Sequence, residues 1–175
     1  DGRPELIAAI GQNFGNALCW LKPVDPANNR WHRYFIGVGA GDWPHGALVA
    51  PVGADGRLAL VVAWHGACRE AQYPQIFTVP ADPKDGPWPV QMLAAIRHSE
   101  QLAVADIADK GRLDIVAGNS WIENLGDGRY LPHTLIHNFE AAQTAVADLN
   151  NNGRTDVILG EQVLTPNTEE NPMAR

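Results

Sequence analysis

The chain has 175 residues, 45% of them hydrophobic and 19% charged, with six Trp, 17 Gly and 13 Pro. This composition supplies a sizeable core and excludes a disordered chain, and the Gly and Pro density suits short strands joined by turns. A net charge of −7 without any basic stripe argues against a nucleic-acid partner, and no apolar stretch is long enough to span a bilayer.

An internal repeat divides the chain. Gly-Arg holds the same place in a longer unit at Gly2-Arg3, Gly56-Arg57, Gly111-Arg112 and Gly153-Arg154, spaced 54, 55 and 42 residues apart. The best copy runs from Val146 to Gly160: a strand, a polar loop closed by Gly153, and a second strand. Val104 to Gly118 and Val49 to Ala63 repeat it. A repeat on this scale signals a propeller or a solenoid, each copy being one supersecondary unit.

In chain order, residues 1–38 form an incomplete unit, because Asp1 to Ala9 matches Asn152 to Gly160 and lacks the strand before it. Ala17 to Leu21 and Trp31 to Ile36 read as its third and fourth strands. Residues 39–96 form a full unit, with Gln75 to Val79 and Trp88 to Leu93 in those places. Residues 97–138 form another: Leu102, Val104 and Ile107 mark a first strand, Leu113, Ile115 and Val116 a second, Trp121 and Ile122 a third. A turn at Asn124 to Gly128 then leads into a fourth strand, Tyr130 to Ile136. Residues 139–175 hold two strands and a polar, irregular tail from Val163. Both ends look cut, so the chain is expected to be a piece of a larger ring, completed by further sequence or, alternatively, by assembly of copies. Cys19 and Cys68 lack metal-type spacing and read as free buried thiols in preference to a disulfide.

Four antiparallel strands in about 40 residues is the size of a propeller blade. The Asp-x-Asn-x-Asn-Gly-x-x-Asp loop at residues 148–156, followed by an apolar strand and Gly160, resembles the FG-GAP or VCBS repeat of integrin-α-like propellers, and the likeness covers nearly the whole chain. The resemblance implies an all-β fold, a partial β-propeller of four-stranded antiparallel blades with two complete and two incomplete. It also implies an extracellular or periplasmic setting and adhesive or carbohydrate-directed functions.

A hard cation such as Ca²⁺ takes six to eight oxygens, which a tight loop presents from alternate residues. Asp148, Asn150, Asn152 and Asp156 offer side-chain oxygens at suitable offsets, and the Arg154 carbonyl is the natural extra ligand. The plain alternative is a polar turn whose Asp and Asn side chains bond the backbone. In the 106–114 copy Asp106 and Asp114 survive, but Ala108 has no side-chain oxygen and Lys110 takes a ligand position. That loop is expected to hold no metal, with the Lys110 ammonium between the two carboxylates or, alternatively, in solvent. The second copy, with Pro51, Gly53, Asp55 and Ala59, retains one usable ligand, and the first retains only Asp1 and Glu5.

Strand order places the loops between first and second strands on one face. On the opposite face arrive Trp43, His45, His98 and Glu100 before first strands, and Asn13, Trp64, His65, Asn119, Glu161 and Gln162 after second strands. His45, Glu100 and Ala142 align six residues before Pro51, Asp106 and Asp148, near the expected mouth of a central channel. Imidazoles act as bases or metal ligands near neutral pH, and indole faces stack on sugar rings. His45 and His65 are therefore the candidate catalytic pair. Trp43, Trp64, His98, Glu100, Asn119 and Glu161 are candidate ligand contacts, and the histidines with Glu100 or Glu161 are a candidate site for a second divalent ion. The plain alternative is inter-blade packing for the Trp residues and turn hydrogen bonding for the His residues. His32, His133 and His137 read as surface residues on outer strands.

Three functions compete. The first is a secreted, Ca²⁺-braced module binding carbohydrate or an extracellular protein through the face opposite the Asp-rich loops. The second, on the likeness to lyase and dehydratase propellers, is a sugar-active carbon–oxygen lyase using His45 and His65. The third is a purely structural interaction module.

Overall fold

The computed structural model describes residues 4–9, 15–41, 43–65, 73–94, 96, 100–137 and 141–161. Within them the fold is all-β, arranged as four antiparallel sheets. The first contains β1 (Leu6–Ala9), β2 (Ala17–Asp25) and β3 (Arg30–Val38). The second contains β4 (Trp43–Ala50), β5 (Ala59–His65), β6 (Gln75–Thr78) and β7 (Val90–Met92). The third contains β8 (Leu102–Ala105), β9 (Asp114–Ala117), β10 (Ser120–Asn124) and β11 (Tyr130–Thr134), and the fourth β12 (Ala141–Ala147) and β13 (Asp156–Glu161). In every sheet the strands pair in chain order.

Alternation across the pleat explains how the sheets pack. Ala59 to Trp64 is buried at every position, although antiparallel strands commonly leave one face wet. Successive side chains point to opposite faces, and here each face meets a different sheet. Leu60, Val62 and Trp64 join Leu18, Trp20, Ile36, Phe77 and Trp88 in a core with the first sheet. Ala59 and Val61 join Ala50, Ile76, Ile115, Ala117 and Ile122 in a core with the third. The second sheet is therefore sandwiched, which is why its second strand reads as an unbroken apolar run.

Polar ties reinforce the stacking. The indole nitrogens of Trp20 and Trp88 both donate to the Pro83 carbonyl, at 3.0 and 2.9 Å. The Tyr130 hydroxyl and the Asn124 amide donate to the Val52 carbonyl at 2.8 and 3.1 Å. Burial pushes the Tyr130 phenol above its ordinary pKa.

Several strands are shorter than the apolar pattern suggests, for local reasons. β8 stops at Ala105 because the Ile107 amide turns back to the Asp114 carboxylate. Trp88 precedes β7, its backbone amide donating to the Ile36 carbonyl of the first sheet. β11 ends at Thr134, after which the Leu135 and Ile136 amides donate to the Asn119 carbonyl. Cys19 is a free, buried thiol, and Cys68 lies outside the described residues. Among the described residues no helix is long and apolar enough to cross a membrane.

Candidate functional site

First strands of neighbouring sheets run close together: β4 touches β8, and β8 touches β12. Gly46 makes the first approach possible, since a Cβ there would lie 2.6 Å from the Glu100 carbonyl oxygen. The Gln101 side chain spans the second, accepting the Thr144 amide at 3.2 Å.

This row of strands brings His45 and Glu100 together, with Nδ1 of the imidazole 3.4 Å from Oε1 of the carboxylate. Both remain accessible, at 32% and 25% side-chain exposure. A β-bulge aims the histidine. Pro44 pairs with Trp64 and Gly46 with Ala63, leaving His45 as the extra residue of β4. β12 bulges at the aligned position, where Ala141 pairs with Glu161 and Gln143 with Gly160 and Ala142 is left over. Bulges re-aim side chains and concentrate near functional sites. A carboxylate facing Nδ1 favours the tautomer with its proton there, which makes Nε2 the basic nitrogen.

Trp43, two residues before His45, is 45% exposed. Trp64 is not available in the same way. It is 2% exposed within the core, and side chains at Gly39 or Gly41 would collide with it, so it packs between sheets and presents no ring to a ligand. The Asn119 amide donates to the Ile136 carbonyl at 3.2 Å and its side-chain oxygen accepts from Ser120 Oγ at 3.0 Å. Asn119 therefore closes the end of the β10–β11 pair. Glu161 is exposed at the end of β13, in register with Ala141. His65 is described by its backbone, opposite Trp43, so its expected partnership with His45 falls outside the described side chains. His98, Asn13 and Gln162 lie outside the described residues altogether. No group of three or more His, Cys, Asp or Glu able to hold a metal occurs among the described residues.

The Asp-rich loops lie at the other end of these strands, seven residues along β4 from Trp43 to Ala50, roughly 23 Å at strand rise. In the 148–156 loop Asp148 accepts the Asn152 and Gly153 amides at 3.0 and 2.7 Å. Asn152 Oδ1 accepts the Arg154 amide at 2.8 Å, and Asp156 accepts the Leu149 amide at 2.9 Å. Asn151 and Gly153 have φ of 58° and 81°, a left-handed conformation that Asn and Gly tolerate best. These bonds pre-shape a loop lined with hard oxygens, the donor set that Ca²⁺ prefers.

The 106–114 loop repeats that backbone. Asp106 accepts the Lys110 and Gly111 amides at 2.9 and 2.6 Å, and Asp109 and Gly111 have φ of 54° and 71°. Asp114 is 1% exposed. Its Oδ2 accepts the Ile107 and Ala108 amides at 3.0 Å each, and Oδ1 accepts the Asn124 amide at 2.8 Å.

Lys110 neither bridges Asp106 and Asp114 nor simply enters solvent, contrary to both expectations. Its ammonium pairs with Oε1 of Glu123 on β10. Oε2 of the same carboxylate meets His133 Nε2 at 2.9 Å, and the His133 ring stacks on Trp121 with centroids 4.3 Å apart and planes at 13°. His133 is thus a member of a cluster and not a solitary surface residue, whereas His32 and His137 are exposed. The Lys110 hydrogen bond, and then that of His133, hold Glu123 below the usual carboxylate pKa. The residues of this cluster are scattered along the sequence from Lys110 to His133, and only the pairing of Trp121 with His133 across β10 and β11 assembles them.

Compared with known family models, curated proteins and solved structures, the chain matches none.

Proposed function

We propose that the chain forms part of a secreted β-propeller of the FG-GAP/VCBS type, braced by Ca²⁺ at residues 148–156, that binds carbohydrate or an extracellular protein through the face carrying Trp43, His45 and Glu100. The observation that carries the binding face is the accessible His45–Glu100 pair, with the exposed Trp43 two residues before His45 in β4, at the end of the strands away from the Asp-rich loops. An aromatic plate next to polar groups that donate and accept is the usual composition of a sugar subsite.

Support for the propeller comes from side-by-side first strands and from the end sheets. Leu6 in β1 is 49% exposed and Ile158 in β13 is 42% exposed, whereas Leu60 and Ile115, in the second strands of the inner sheets, are fully buried. The end sheets carry inner-strand composition without an inner strand's cover, as expected if further blades pack against them. For the cation, Asp148, Asn150, Asn152 and Asp156 would supply side-chain oxygens, with the Arg154 carbonyl beside them. Bound there, Ca²⁺ would tie β12 to β13.

A second reading, favoured by the same dyad, is proton abstraction by His45 next to a sugar carbonyl or carboxylate, with Glu100 orienting the imidazole. The structural-module reading is the outcome if neither binding nor turnover is found. A screen of immobilised glycans on the full-length protein, with Trp43→Ala and His45→Ala, separates the three. Glycan binding that falls about tenfold on loss of the indole supports the binding module. Formation of an unsaturated sugar product that disappears in His45→Ala supports the lyase. Binding unchanged in both variants excludes this face as the binding surface.

A further inference from the structure

The 106–114 loop contains a lysine where its sister loop has an oxygen ligand, and the destination of that lysine defines a role. We propose that Lys110 is the resident cation of the third sheet, locking loop, β10 and β11 together through Glu123 without a metal ion. Both loop carboxylates are already occupied by backbone amides, two on Asp106 and three on Asp114, so the ammonium is not needed inside the loop. It is needed outside. Glu123 is 6% exposed, and a buried carboxylate is tolerated only when paired and hydrogen-bonded. Lys110 takes one oxygen and His133 the other, while the indole of Trp121 holds the imidazole flat.

Both ends of the lock change together between copies. The position of Lys110 corresponds to Asp55 in the second unit, and that of Glu123, read through register with β9, to Thr78, which pairs with Ala59. The second unit has neither the cation at the first of these positions nor the carboxylate at the second. Its loop is tied to the neighbouring sheet, the Asp55 amide donating to the Gly126 carbonyl in the turn between β10 and β11 at 2.9 Å. In the fourth, the corresponding Asn152 keeps its side chain within its own loop.

The lock is independent of the Ca²⁺ reading of residues 148–156, and its test is run in chelator for that reason. Thermal unfolding is compared for the parent protein, Lys110→Met, Lys110→Arg, Glu123→Gln and the double variant Lys110→Met/Glu123→Gln. Each neutral single variant is expected to lose about 5 °C in Tm. The double variant is expected to lose little more than either single, because both remove the same pair, and Lys110→Arg to keep most of the parent Tm. Unchanged Tm in Lys110→Met, or fully additive losses in the double variant, overturns the proposal. Should Glu123→Gln fail to fold, Lys110→Met against Lys110→Arg decides, since Lys110 is half exposed; equal losses in those two also overturn it.

Discussion

The hairpins at residues 104–118 and 146–160 share a backbone and differ in what surrounds it. Both use an Asp at the start of the loop to accept two amides, a left-handed residue three positions later, and a final Asp that reaches back to the loop's second residue. In the inner copy that final Asp is buried and also accepts the amide of Asn124, at the end of β10. In the outer copy Asp148, Asn150 and Asn152 are exposed, with Asp156 partly so. The same backbone thus meets different surroundings: in both copies the carboxylates organise the loop's own amides, but Asp148 is exposed where Asp106 is only partly so.

The largest expected difference is in stability. Asp114→Ala strips three backbone amides, one of them in a buried bond, of a buried charged acceptor and is expected to cost roughly 3–4 kcal/mol, against about 1 kcal/mol for Asp156→Ala in chelator. Urea unfolding of the two variants measures this, and equal losses would break the contrast between inner and outer loops. Next comes the ion: with Ca²⁺ at about a hundred times its Kd, the parent is expected to gain about 2.7 kcal/mol. Asn150→Ala should forfeit that gain and Lys110→Met should keep it, so a loss confined to Lys110→Met would reverse the assignment of the loops.

Acid sharpens the contrast further. Glu123 has a depressed pKa in the folded state, chiefly through Lys110 and then His133, so its contribution is fully present above the unfolded carboxylate value and is lost as pH falls through the lower, folded value. Lys110→Met should flatten this acid limb of Tm against pH, while Asn152→Ala should leave it alone. The smallest effect is a control. Gly111 and Gly153 both have φ in the left-handed region, 71° and 81°, and a Cβ added at either would meet nothing within 4 Å; each Gly→Ala change should cost about 1 kcal/mol. Unequal losses, read from the same urea curves, would show that the two backbones are not equivalent.

Strand order, the placement of the Asp-rich loops and the four-sheet division were legible because each rests on local pattern: period-two apolar runs, Gly at left-handed turns, and repetition. The His45–Glu100 approach was legible for the same reason, through alignment of the copies. Other features depend on partners distant in sequence. Trp64 looks like a surface indole beside His65 until Gly39 and Gly41 are seen to make room for it. The bulge at His45 has no mark of its own, since Pro44 and Gly46 would serve equally in a turn. Glu123 and His133 sit in strands where alternation gives no sign that a carboxylate points into a buried cluster. The usable signal was paired change between repeats, Lys110 with Glu123 against Asp55 with Thr78.

The proposal that residues 148–156 bind Ca²⁺ while residues 106–114 do not is tested most directly by calorimetric titration of Ca²⁺ into the chelator-stripped protein. The predicted result is a single site that Asn150→Ala and Asp156→Ala abolish and Lys110→Met retains. Absence of binding, or binding that survives both loop substitutions, would contradict it.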